Sequence, residues 1–449
     1  MNKKNNVGSS KHNNQFRTLL LVGFVVVFLI FQWFGGLAGS ARSLATQAIE
    51  SNQLDSAEYW LKISQWFESG NGESHFMRAR LERKRGELDK MATSLRSAHD
   101  SGFSPSRLQR EQSLALASLG RLTQDVEKEL DEWLQEPTAE TSEILDSYIN
   151  GLTSLSRYSE SLELLNYWES QSPWSPIPNY RRARIQEHLS QFQLAEEQYK
   201  SAHQKDPRYA KAAYQYGRLL LQQRRPVEAL VLFRKSERGL SDLAAKTGIA
   251  RCLKETGKVD EARDILRQVL GNSIESQARS LRSVDDFSER YIAASELGSI
   301  ETEAGNYEAA VEILKKALEV NPKDTIARYA YAVSLRGKGM VMESEQNFEI
   351  VRSARKALEK VSELQEKLRH TPDDSKVRME LGKLILEHES ERTGVFWVQS
   401  IFSYDPSNED AHRLLADWYA NKANASDDDR RREEYHRSFL KLVSNSEKK

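Results

Sequence analysis

Residues 305–322, GNYEAAVEILKKALEVNP, decide the fold of this chain. A small residue, Ala310, is followed four positions later by a large apolar one, Leu314, and three positions after that by another small one, Ala317. Positions i, i+4 and i+7 share one face of an α-helix, so the segment is predicted to be an amphipathic helix. The same spacing recurs in two further segments, QFQLAEEQYKSAHQKDP (191–207) and RRPVEALVLFRKSERG (224–239).

A second helix is predicted before each of these. Twelve positions before each leading small residue stands another small residue: Ala183, Gly217 and Gly298. Small residues on both helices allow a close approach, and Gly257, Gly305 and Gly339 mark the turns between the helices. Prolines close the second helices, at Pro207, Pro322 and Pro406. The pattern therefore predicts helical hairpins.

The small residue of the second helix recurs at intervals that cluster at 34 residues. Its positions are Ala57, Met91, Ser161, Ala195, Ala229, Ala262, Ala310, Ser344 and Gly394, with a weak match near Asp125. Over residues 41–420 this pattern resembles the tetratricopeptide repeat (TPR) family. The resemblance implies an all-α, right-handed superhelical solenoid of antiparallel helix pairs, with a concave groove lined by the first helices.

The match divides the chain into segments. Residues 41–176 carry degenerate TPR-like repeats, 177–351 well-matched repeats, and 377–449 a last TPR-like repeat with a capping helix. Two of the intervals between these small residues are longer than the 34-residue period. The first excess is an insertion at 271–290, predicted as an extended helix end or a loop. The second is an extended helix at 352–376, predicted to project from the stack. Caps for the two ends of the stack are predicted at 41–52 and 427–445.

The N-terminal region predicts a membrane anchor. Residues 18–38, TLLLVGFVVVFLIFQWFGGLA, carry no formal charge, and a helix of this length spans a hydrocarbon core of roughly 30 Å. Lys and Arg without acids in residues 1–17 favour a cytoplasmic tail, which places the repeats on the other side. The prediction is a single-pass protein of a bacterial inner membrane with a retained signal anchor. A cleavable signal peptide is the alternative, because residues 36–41 are small.

Composition excludes several classes of protein. Among 449 residues, 65 Lys and Arg balance 66 Asp and Glu, so the chain is not a globally basic nucleic-acid binder. The single cysteine, Cys252, excludes an intramolecular disulfide and a zinc site built from several cysteines. The motifs GxSxG, GxxxxGK[ST], HExxH and GxGxxG are absent. We therefore predict no enzyme activity, no metal and no cofactor.

The resemblance also implies a peptide-binding surface. In the family, the residue after the small residue of the first helix faces the groove. Three successive repeats of this chain have an arginine there: Arg184, Arg218 and Arg251. Lys211 and Lys254 are expected on the same surface, and Tyr180 at one end of it. Arginine forks bind carboxylates, so the predicted ligand is acidic. Two features weaken the prediction: Glu187, Glu228 and Glu255 could neutralise the cations, and the asparagines of the family's carboxylate clamp are missing.

The aromatic segment 166–180, NYWESQSPWSPIPNY, allows two interpretations. Its rings either fill the core at an irregular junction between repeats or form an exposed lip that grips a peptide. The predicted function is a membrane-anchored scaffold that binds partner proteins or peptides in the groove and recruits or assembles an envelope complex, without nucleic acid. The alternatives are a self-associating structural protein, and the non-catalytic arm of an enzyme.

Overall fold

The computed structural model describes residue 28 and residues 35–50, 53–138, 140–238, 241–284, 292–422 and 427–446. These residues form α-helices and short connections, with no β-strand among them. The chain divides into two compact units, Met1–Ala115 and Leu116–Lys449.

From Gly36 onward, the described part of the first unit contains four helices and most of a fifth. They are α1 (Gly36–Glu50), α2 (Leu54–Phe67), α3 (Gly72–Lys84), α4 (Leu88–Asp100) and α5 (Pro105–Ser118). Helices α1 and α2 pack together, as do α3 and α4. The predicted cap at 41–52 is thus the first helix of a complete hairpin, in which Ala45 on α1 and Ala57 on α2 are fully buried.

The second unit continues the series of hairpins. Its helices are α6 (Gln124–Gln135), α7 (Thr141–Ser154), α8 (Tyr158–Gln171), α9 (Ile177–His188), α10 (Phe192–Lys205), α11 (Ala210–Gln222), α12 (Pro226–Ser236), α13 (Asp242–Glu255), α14 (Val259–Leu270), α15 (Ile274–Val284), α16 (Ile292–Glu303), α17 (Tyr307–Val320), α18 (Thr325–Gly337), α19 (Val341–His370), α20 (Ser375–His388), α21 (Glu391–Gln399), α22 (Glu409–Ala420) and α23 (Asp427–Ser446). From α7 onward, helices pair with the next in sequence, except that α15 stands outside the pairing.

The small residues predicted at the helix contacts lie where the helices touch. Ala195, Ala229, Ala262 and Ala310 are all fully buried. A Cβ atom added to Gly298 on α16 would come within 2.4 Å of Leu314 on α17, closer than real Cβ atoms approach other atoms. Glycine is therefore required there for the two helices to pack at this distance.

Several turns inside the hairpins have a left-handed residue at the same place. Gly257 and Gly305 have φ of 82° and 76°, as the spacing predicts for glycine. In three repeats another residue takes the same conformation, with φ of 62° at Ser156, 57° at Ser190 and 62° at Arg224. The geometry of the turn is therefore kept where the glycine is missing, at a cost in backbone strain.

At three junctions between hairpins, a proline is followed two positions later by a residue whose side chain caps the next helix. The Asp324 carboxylate accepts from the backbone N–H groups of Ile326 and Ala327 at 3.0 Å, after Pro322. The Asp374 side chain caps α20 in the same way, and that of Asn408 caps α22. These side chains satisfy donors that have no partner inside the helix.

The insertion at 271–290 contains a separate helix, α15, which the sequence analysis did not predict. It packs against α11 and α13, the first helices of two successive hairpins. The Ser280 hydroxyl accepts from the backbone N–H of Ala244 at 2.9 Å, and Gln215 Nε2 donates to the carbonyl of Val284 at 2.8 Å. Leu281 and Val284 are buried in the same core.

The extended helix predicted at 352–376 is part of a longer helix that ends at His370, and the prediction that it projects from the stack is wrong. Helix α19 runs through 30 residues. Its second half buries Val361, Leu364 and Leu368 against Ile385 and Trp397 of α20 and α21. One continuous helix therefore packs in two consecutive hairpins, because its apolar face continues past the end of the first.

The last hairpins of the second unit also contact its first ones. Arg378 on α20 donates to the carbonyl of Leu155, which follows α7, at 2.5 Å. Ser403 donates to the carbonyl of Gly120 at 2.9 Å, and Arg369 on α19 donates to the carbonyl of His188. Contacts over such separations add to the nearest-neighbour packing of a repeat protein.

The sequence predicts a feature at each end of the chain, a cap at the C-terminus and a membrane span near the N-terminus. Helix α23, which lies where the C-terminal cap is predicted at 427–445, packs on α22. Among the described residues, no helix combines the length and the apolar character needed to cross a bilayer. Most of the predicted span at 18–38, and the predicted tail at 1–17, lie outside the described residues. Gly36–Ala38, at its end, belong to α1, and Ala38 is fully buried.

Candidate peptide-binding groove

The predicted basic residues lie on three successive first helices. Arg184 is on α9, Lys211 and Arg218 are on α11, and Arg251 and Lys254 are on α13. The structure brings Arg184 and Arg218 together in one open cavity of about 570 Å³. Arg251, Lys211 and Lys254 are not among its lining residues.

This cavity, which we call the α9–α11 pocket, has both a charged and an apolar side. Its lining residues are Arg184, Glu187, His188, Phe192, Arg218, Leu219, Gln222 and Gln223. Phe192 opens α10 and is 47% exposed. The sequence analysis did not identify Phe192, Gln222 or Gln223 as site residues. The only signal for them was their place at the turn end of the hairpin, beside the arginines.

Glu187 holds Arg218 in place. It forms an ion pair with Arg218 and accepts a hydrogen bond from the Tyr199 hydroxyl at 2.5 Å. Arg218 Nε also donates to Gln215 Oε1 at 2.6 Å. The guanidinium is therefore oriented before any ligand arrives, which lowers the entropy lost on binding.

Two of the other predicted cations, Arg251 and Lys254, have carboxylate partners in a neighbouring repeat. Arg251 pairs with Glu296 at 3.0 Å, and Lys254 with Glu303 at 2.7 Å. Of the three acids expected to neutralise these arginines, Glu187 forms such an ion pair, with Arg218. Glu228 pairs with Arg225, and Glu255 with Arg224. Lys211 is half-buried on α11.

The structure corrects the placement of Tyr180 on the groove surface. Its ring is 2% exposed and packs edge-on against Tyr209, with a centroid distance of 5.4 Å. Trp168 is buried as well. These rings fill the core at the junction, as one of the two interpretations proposed. Trp174 differs, because it is 74% exposed.

Helix α15 covers the next section of the groove surface. Beneath it Tyr214, Ala244 and Thr247 are buried, although they belong to first helices. A cavity of about 150 Å³ remains between α15 and these helices. Helix α15 therefore interrupts the surface of the first helices beyond the α9–α11 pocket.

Cys252 is fully buried, and its burial raises the pKa of the thiol to about 12, which disfavours the nucleophilic thiolate. Within the described part of the chain, no cluster of His, Cys, Asp and Glu could hold a metal ion. The absence of enzyme activity stays a prediction.

Comparison with family models identifies the repeats. Tetratricopeptide repeat models match residues 180–242, 245–272 and 293–324. The predicted TPRs are thereby confirmed in these segments, which include the α9–α11 pocket. A TPR solenoid of this kind is a scaffold suited to protein–protein interaction.

Solved structures are similar only at the level of the helical-repeat fold. MamA is 16% identical, over 39% of this chain and 88% of its own, with a TM-score of 0.29. YrrB, described as a TPR protein with an unusual peptide-binding site, is 18% identical over 48% of this chain and 96% of its own, with a TM-score of 0.26. The C-terminal part of a TPR-containing protein from Cytophaga hutchinsonii is 16% identical over 59% and 96%, with a TM-score of 0.32. No curated protein matches the chain.

Proposed function

We propose that this chain is a membrane-anchored scaffold that binds an acidic segment of a partner protein in the α9–α11 pocket. The observation that carries the proposal is the convergence of Arg184 and Arg218 in one open cavity beside the exposed ring of Phe192. Two guanidinium groups and one carboxylate give the lining an excess of positive charge. A ligand with one acidic and one apolar side chain, a few residues apart, would complement this surface.

The anchor is the second element of the proposal. It is supported by the 21 uncharged residues at 18–38 and by the excess of Lys and Arg in residues 1–17. The repeats would then stand outside the cytoplasm of a bacterium and recruit or assemble an envelope complex. Self-association is the alternative function.

Binding is tested with the full-length chain and a panel of fluorescent decapeptides. The peptides carry acidic residues among apolar ones, and the control peptides carry Lys in place of the acids. We expect Arg184→Glu and Arg218→Glu to weaken binding of the acidic peptides at least about tenfold, the equivalent of about 1.4 kcal/mol. Arg251→Glu is the matched control, because Arg251 occupies the corresponding place on α13 outside the pocket.

Two results would contradict the pocket as the binding site. One is an equal loss of affinity in the Arg251→Glu variant. The other is equal binding of acidic and basic peptides. The anchor is tested separately by alkaline extraction of membranes and by a reporter after Lys449 that is active only outside the cytoplasm. A silent but expressed fusion would reverse the proposed orientation.

A further inference from the structure

Helix α2 carries large apolar side chains on its solvent side. Tyr59 is 60% exposed and Trp66 is 80% exposed, more than any other large apolar side chain of the described residues. Ile63, half-buried, lies between them. Positions 59, 63 and 66 have the spacing i, i+4 and i+7, so the three side chains form one stripe along the helix. The opposite face, with Ala57 and Leu61, is fully buried against α1 and the core of the first unit.

The C-terminal end of this stripe lies beside Gly35, directly before α1. Arg42 on α1 pairs with Glu68, directly after α2, at 2.6 Å. A Cβ atom added to Gly35 would come within 2.4 Å of Glu68 Oε1. Trp66 precedes Glu68 by two residues, so it lies close to the point at which the apolar segment ends in the sequence.

The bilayer interface is the environment that suits such a tryptophan. The indole is apolar with one polar N–H, and it concentrates where headgroups meet hydrocarbon. The headgroup layer extends roughly 5–7 Å beyond the hydrocarbon core on each side. The C-terminal end of α2, which carries Trp66, is the end of the helix that lies beside Gly35, at the start of α1. Tyr59, seven residues earlier, lies about 10 Å farther along the helix axis.

We propose that the C-terminal end of α2, centred on Trp66, is a lipid-contact surface that inserts into the headgroup layer of the membrane that the proposed anchor would span. This inference rests on the proposed anchor. Lys62 lies on the same side of α2 and is 66% exposed at its side chain. Lys62 pairs with Glu58 at 2.9 Å, and Glu58 also accepts from Arg85. A lipid phosphate can therefore replace Glu58 as the partner of Lys62 without leaving that carboxylate unpaired. The contact would fix the first hairpin against the bilayer.

The experiment uses the full-length chain with Cys252→Ala, which removes the native thiol. Trp66→Cys, Tyr59→Cys and Trp174→Cys each introduce one site for a nitroxide label. Trp174 is the matched control, because it is a tryptophan of similar exposure, 74%, in the second unit. The labelled proteins are reconstituted into vesicles of equal parts phosphatidylcholine and phosphatidylglycerol and then floated on a density gradient. Circular dichroism checks that each variant is folded.

Collision of the nitroxide with oxygen, which enters lipid, is compared with collision with a water-soluble nickel chelate. In floated vesicles, we expect the label at position 66 to be several-fold less accessible to nickel and more accessible to oxygen than the label at position 174. The label at position 59 should lie between them.

The outcomes separate this inference from the anchor. If the protein floats but positions 66 and 174 are equally accessible to nickel, the lipid contact is refuted and the anchor stands. If position 66 is shielded from both reagents, protein covers it, and the inference is again refuted. If the protein does not float, the anchor is refuted, and the lipid contact with it.

Discussion

Replacing Arg378 by methionine tests how the first and last hairpins of the second unit are held together. The Arg378 side chain is fully buried. Its guanidinium donates to the carbonyl of Pro372 at 2.7 Å, to the hydroxyl of Ser400 at 2.8 Å and to the carbonyl of Leu155 at 2.5 Å. It also stacks on Tyr404, 4.8 Å from the ring centroid. Methionine keeps the apolar stem and removes every donor.

The size of the effect follows from the acceptors left behind. The Leu155 and Pro372 carbonyls each lose a donor, and a buried unsatisfied acceptor costs about 1–3 kcal/mol. Ser400 is less affected, because its hydroxyl also donates to the carbonyl of Trp397. Removing a buried charge regains part of its desolvation free energy, and the same desolvation lowers the pKa of Arg378. We expect a net loss of about 2–4 kcal/mol in the free energy of unfolding.

Denaturant unfolding measures the total effect, and hydrogen exchange with mass spectrometry locates it. Exchange should rise in peptides covering the turn at 151–161 and the start of α20, and stay unchanged in α13 and α14. Arg328→Met is the matched control, because Arg328 on α18 contacts the carbonyl of Pro322, just before α18, and the side chain of Asn347 on α19, the other helix of its hairpin. If Arg378→Met matches this control in stability and leaves exchange at 151–161 unchanged, the Leu155 contact does not hold the hairpins together.

Three further predictions concern the turns, the last hairpin and the cysteine. Ser190→Gly should raise the unfolding free energy by about 1 kcal/mol, because Ser190 has φ of 57°. Gly257→Ala should lower it by a similar amount, because Gly257 has φ of 82°. Thermal denaturation compares the two variants, and equal shifts of one sign would contradict the reasoning. The Nδ1 atoms of buried His412 and His436 are 2.9 Å apart, so at least one must be unprotonated. The pKa of His436 is lowered from 6.5 to about 4, mainly by burial and to a lesser extent by the nearby His412, Arg121 and Arg432. The unfolded chain therefore binds more protons between these values, and stability should fall as the pH drops from 6.5 to 4. His436→Phe should weaken that dependence in urea unfolding at several pH values, and an unchanged slope would exclude His436 as its source. Cys252 should resist iodoacetamide in the native protein and react after unfolding, since burial raises its pKa to about 12; rapid native labelling would show that α13 opens.

Much of the repeat architecture could be predicted because it depends on short-range patterns. A small residue with an apolar one four positions later fixes the contact face of a helix, and a glycine at a constant interval fixes the turn. Ala195, Ala229 and Ala310 are buried as predicted, and Gly257 and Gly305 have positive φ. The pattern tolerated substitution at Ser190, since the hairpin supplies the turn geometry even without glycine.

The candidate site was only partly predictable. The sequence indicated Arg184 and Arg218 through their place after the small residue of the first helix, and both line the α9–α11 pocket. It could not indicate that Tyr180 turns into the core, because that depends on contacts with Tyr209 and Tyr199 from other helices. Nor could it indicate that Arg251 pairs with Glu296 across the insertion, 45 residues later in the chain.

The sequence by itself thus determined the helical hairpins, their period and the positions where they touch, because all of these follow from residues within one turn or one hairpin. Only the tertiary structure decided which surfaces of the repeats are covered by other segments of the chain. Helix α15 lies over α11 and α13, α19 packs into two hairpins instead of projecting, and Arg378 reaches the carbonyl of Leu155. These arrangements join segments far apart in the chain, and their free energy comes from burial and hydrogen bonds that no local pattern encodes.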